Sequence, residues 1–84
     1  MQDNTTARDE FIKRQKALLK LIGANIKEYR LQKGWSEEKL AAKCHITEHA
    51  LKELEAGADI NYEDTKLLER ISSVLVVKLN QLYK

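Results

Sequence analysis

Apolar residues recur along this chain at intervals of three and four, and the phase resets at a few small residues. Phe11, Leu18, Ile22, Ile26 and Tyr29, with Gln15 among them, fall on one face of a helix. Helix formers run almost throughout from Ala7 to about Lys33. One helix of that length would be ~40 Å long, more than a small domain needs. Gly23 lies midway and marks either a break or close helix packing; a break or bend near Leu21–Gly23 is the expectation, with residues 1–6 frayed. Gly34 closes the segment. Leu40, Ala41 and Cys44 form the next stripe behind Ser36, a hydroxyl N-cap followed by Glu37 and Glu38. Thr47 opens another helix, with Leu51 and Leu54 inward and Gly57 as its stop. His45-Ile46 leaves only a tight turn between these two. Ala58 to Asn61 reads as a loop. A fourth helix is expected from Tyr62 or Glu63 to Val74, turning Leu67, Leu68, Ile71 and Leu75 inward. A short fifth runs from Lys78 to Tyr83.

Two short helices about a tight turn project the outer face of the second away from the body. A DNA major groove admits such a helix. The residues Ile22-Gly23, Ile26, Arg30, Lys33-Gly34, Ser36, Leu40-Ala41, Ile46, Leu51, Leu54-Glu55 and Gly57 stand in one register. In that register the chain resembles the phage-repressor (Cro/XRE) helix-turn-helix family. The similarity extends through Leu68, Ile71, Leu75, Val77 and Leu82. The resemblance implies an all-α, five-helix lambda-repressor-like DNA-binding domain over residues 22–84, with an N-terminal helical extension over 1–21. It also implies a transcriptional regulator, by expectation a repressor, that binds double-stranded DNA as a homodimer.

The family's contact positions fall on Thr47, Glu48, His49 and Lys52, with Glu37 and Lys33 near phosphate. Read chemically, Lys52 donates to guanine and His49 to an acceptor. Glu48 accepts from cytosine, and Thr47 meets a phosphate or a thymine methyl. The plain alternative is a solvated helix face. Arg30 and Glu55 match a pair that the family uses to orient the motif. The chain departs from the pattern at Glu37 and Glu48, where the family often has glutamine, and at His45, where a turn glycine is common. Histidine tolerates positive φ better than most residues.

Charge complicates the picture. The net charge is +2. Residues 1–35 hold eight Lys or Arg against four acids, whereas residues 36–57 hold three Lys against five Glu. Phosphate neutralisation normally supplies much of DNA affinity, so an acidic motif points to a second reading. In that reading the fold serves as a protein-interaction module, such as an antitoxin or adaptor, with weak DNA affinity and a protein partner. Surplus apolar residues in the first segment (Phe11, Ile12, Leu18, Leu19, Leu21) must pack on the core or form a dimer seam. Trp35, Leu79, Leu82 and Tyr83 pose the same choice at the other end.

Composition narrows the rest. Apolar residues make up 43% and charged residues 33%, with no proline, the balance of one small helical domain. Cys44 is the sole cysteine, so no internal disulfide forms, and no second ligand completes a metal site with Cys44 and His45. No oxyanion hole or third group accompanies Cys44, so an enzyme is not expected, nor a cofactor. The start of the chain lacks signal-peptide character and no apolar run reaches the ~20 residues of a membrane span, so a cytoplasmic, membrane-free protein is expected.

Overall fold

The computed structural model describes residues 2–58 and 65–84, with side chains described for 13–58 and 66–84. The described residues are all-α, with four α-helices and a 3-10 helix. They are α1 (Gln2–Gln32), α2 (Glu37–Cys44), α3 (Glu48–Glu55), α4 (Thr65–Leu75) and a 3-10 helix over Leu79–Tyr83. The fifth expected helix is thus a 3-10 turn. Five residues give it too few i→i−4 bonds to hold an α-helix. Gln81 closes its start by accepting the Lys78 backbone N–H at 2.8 Å. Asn25 Nδ2 ties its end to α1 by donating to the Leu82 carbonyl, also at 2.8 Å. The expected start of α4 at Tyr62 or Glu63, and the loop beyond Ala58, lie outside the described residues.

Helix α1 corrects two expectations. It is helical from Gln2, and it passes through Leu21–Gly23 without a break. Gly23 serves close packing instead. A Cβ there would run into the carbonyl oxygen of Leu54 and stand 2.7 Å from that of Glu55, so the backbone of α1 lies directly against the end of α3. A helix-length count cannot distinguish a hinge glycine from a contact glycine, because both sit mid-helix.

The core gathers one stripe from every helix: Ile22 and Ile26 from α1, Leu40, Ala41 and Cys44 from α2, Leu51 and Leu54 from α3, Leu68, Ile71 and Leu75 from α4, and Leu82. Each such large side chain contributes roughly 1.5–3 kcal/mol by leaving water. Leu67, Trp35 and Leu79 pack against this core, half-buried. Leu18 remains 41% exposed and Leu21 37%, so these two find no cover within the described chain. Leu19 is half-buried, and the side chains of Phe11 and Ile12 lie outside the described ones.

Each α-helix ends in the same double hydrogen bond, closed by a residue of positive φ. The four residues are Gly34 (φ 71°), His45 (59°), Gly57 (88°) and Val76 (58°). At α2, the His45 N–H reaches the Ala42 carbonyl at 3.2 Å and the Ile46 N–H reaches Ala41 at 3.0 Å. This is the Schellman arrangement, which satisfies carbonyls that a helix end leaves open. Val76 is the costly member. A β-branched residue in the left-handed region is strained, and Val76 is also 80% exposed.

Candidate nucleic-acid interface

The turn between α2 and α3 is held at both ends. Ser36 Oγ accepts the Lys39 N–H at 3.1 Å, and Thr47 Oγ1 accepts the Ala50 N–H at 3.0 Å. Both hydroxyls therefore act as N-caps. Between them His45 adopts the left-handed conformation that the tight turn requires. Arg70 Nη1 donates to the Cys44 carbonyl at 3.0 Å, joining the end of α2 to α4. The Cys44 thiol itself is fully buried, and burial raises its pKa against the opposing charge of Arg70. A neutral, buried thiol packs and does not attack.

Arg30 and Glu55 fix α3 to α1. Arg30 Nε donates to Glu55 Oε2 at 2.8 Å and Nη2 to Oε1 at 3.1 Å, a bidentate pair with side chains 7% and 6% exposed. Its hydrogen bonds to Glu55 raise the arginine's pKa, and burial opposes the rise; the charges of Glu55 and Glu37 add to it. A third bond, Nη1 to the Trp35 carbonyl at 2.8 Å, extends the grip to the residue preceding α2. One guanidinium thus sets the position of both motif helices.

The outward face of α3 carries Glu48, His49, Lys52 and Glu53, all exposed. These side chains are paired along the helix. Lys52 Nζ lies 3.6 Å from Glu48 Oε1, and His49 Nε2 lies 3.1 Å from Glu53 Oε1. Pairs so exposed contribute only ~0.3–0.5 kcal/mol each, so a ligand displaces them cheaply. Thr47 is at the edge of this face, its hydroxyl engaged as a cap. Glu37 stands apart, half-buried, its charge acting on Arg30. Lys33 lies elsewhere again, with its Nζ 5.2 Å from the centre of the Trp35 ring.

Two further lysines share that ring: Lys43 Nζ at 4.9 Å and Lys39 Nζ at 5.7 Å. Each such contact contributes about 0.5–1 kcal/mol at an exposed site. Sequence reasoning missed Lys39, Lys43 and Trp35 as a group. Their signal was the four-residue spacing of the lysines beside the single tryptophan. Among the described residues no group of His, Cys, Asp or Glu is arranged to hold a metal, and no helix is long and apolar enough to cross a membrane.

Two capped helices about a left-handed turn, the second with a free polar face and an ion pair fixing its angle, define a helix-turn-helix protein. The chain belongs to the Cro/XRE helix-turn-helix family of DNA-binding domains: residues 26–82 match the family described as Helix-turn-helix. It is 36% identical over 62 residues to the HTH-type transcriptional regulator SinR of Bacillus subtilis (strain 168), and equally so to that of Bacillus licheniformis. The match covers 74% of this chain and 55% of each relative, so the chain spans about half the length of the curated relatives it matches.

Proposed function

We propose that this protein is a sequence-specific transcriptional repressor that reads duplex DNA with α3 and acts as a homodimer in the cytoplasm. Residues 22–84 are the DNA-binding unit and residues 1–21 an extension of its first helix. The observation that carries this reading is the projecting face of α3, with Glu48, His49 and Lys52 exposed on a helix whose angle the Arg30–Glu55 pair fixes. The relatives' naming as transcriptional regulators supports it. On reaching a groove, Lys52 exchanges Glu48 for a guanine edge and His49 leaves Glu53 for an acceptor, while Glu48 accepts from cytosine. Glu37, half-buried at the start of α2 and with a charge felt by Arg30, takes the lesser, phosphate-side position. Dimerisation would place two α3 helices about 34 Å apart, one turn of the duplex.

Selection of bound sites from a random duplex library tests this. The expected product is a palindrome bound in a salt-dependent manner, and Lys52→Ala should weaken it by ~1–3 kcal/mol, or about 5- to 150-fold. No enrichment at low salt would overturn the proposal and turn the search towards a protein partner.

A further inference from the structure

Three lysines gathered on one indole need an explanation, because like charges brought together repel. Lys33 lies in the turn after α1, whereas Lys39 and Lys43 lie one turn apart on α2, and all three are exposed. Their ammonium groups stand 5.2, 5.7 and 4.9 Å from the Trp35 ring centre. Among the described residues none of the three pairs with a carboxylate, whereas Lys52 and His49 on α3 both do. The ring itself is anchored. It packs half-buried on the core, and the Trp35 carbonyl accepts from Arg30. The patch is therefore an anchored aromatic platform that holds three cations, none of them paired with a carboxylate among the described residues.

We propose that Trp35, Lys33, Lys39 and Lys43 form the principal phosphate-backbone contact of this protein, a proposal that rests on the DNA-binding reading above. The three nitrogens lie within roughly 11 Å of one another, room for three consecutive phosphates on one strand, whose axial run is about 7 Å at ~3.4 Å per step. The patch sits beside Ser36 at the start of α2, on the same two-helix unit that carries the α3 face, and the strand flanking the bound groove is the polyanion it would take. The patch supplies affinity without sequence, and α3 supplies sequence with little charge. An acidic peptide is the competing occupant.

Two triple variants decide the matter. Lys33→Gln/Lys39→Gln/Lys43→Gln removes the patch. Lys66→Gln/Lys78→Gln/Lys84→Gln removes the same charge elsewhere. Circular dichroism melts check that both fold. The slope of log affinity against log salt should become shallower by about 2 to 3 in the first variant, at ~0.9 per phosphate contact, and by less than 1 in the second. Trp35 is the only tryptophan, so wild-type emission should change on saturation with duplex and should still do so in Lys52→Ala. Equal slopes in both triples, or an unchanged slope in the first, would overturn the patch and leave the DNA reading standing. An emission change with polyglutamate but not with duplex would assign the patch to an acidic peptide. Failure of the wild type to bind any duplex at low salt would remove both.

Discussion

The outward face of α3 and the corner around Trp35 lie on the same two-helix unit and treat charge in opposite ways. On α3, Lys52 and His49 are each held by a glutamate one turn away, so the surface that projects furthest offers no unpaired cation. At the corner, three lysines share an aromatic ring, and among the described residues none is paired with a carboxylate. A charge count over residues 36–57 averages the two and returns an acidic motif. The difference teaches that net charge per segment is a poor guide to where a polyanion would sit, because helix periodicity sorts charges by face. The five glutamates of the motif do not oppose DNA equally: Glu55 is buried against Arg30, Glu37 is half-buried, Glu48 and Glu53 are engaged along their own helix, and Glu38 is exposed.

Both surfaces hang on the same support, and breaking it should give the largest effect. Glu55→Ala strands the buried Arg30 guanidinium and is expected to lower unfolding free energy by about 3–5 kcal/mol, read from a urea melt. In a domain this small such a loss leaves little folded protein. Gly23→Ala comes next, at about 1–3 kcal/mol, because its methyl meets backbone oxygens of Leu54 and Glu55 that have no rotamer to yield. It should displace the end of α3 while sparing the Trp35 corner, which near-ultraviolet dichroism of the lone tryptophan would show as an unchanged band.

A finer test addresses the neutral face alone. Glu48→Gln/Glu53→Gln frees Lys52 and His49 and removes two charges that repel phosphate. Duplex affinity at low salt should rise by roughly fivefold, taking about 1 kcal/mol in all for like-charge repulsion in water. Unaltered affinity would mean that α3 does not approach the backbone at all. The smallest effect serves as a control far from both surfaces. Val76→Gly relieves a strained left-handed residue and should raise stability by about 0.5–1 kcal/mol in a thermal melt, with DNA affinity unchanged.

Much of this was legible beforehand, and the reasons are local. Ser36 and Thr47 as caps, Gly34, His45 and Gly57 as stops, and the inward stripes of α2 and α3 follow from chemistry within four residues of each position. The fourth terminator was not legible, because nothing in a valine announces positive φ. At Gly23 the choice between a break and close packing fell the wrong way, because its partner, the end of α3, is about thirty residues away. The Trp35 cluster escaped for a related reason. Its lysines lie on a turn and on a helix, and only folding brings them to one ring.

The continuity of α1 has a mechanical consequence. Thirty-one residues in one unbroken helix span about 46 Å, against 22 and 18 Å for the molecule's two shorter dimensions. A hinge at Gly23 would have absorbed torque applied to the first turns. Without one the helix is a stiff lever whose fulcrum is the packed stretch from Ile22 to Arg30. A tilt imposed near Lys13 is passed along α1 towards the guanidinium that aims α3.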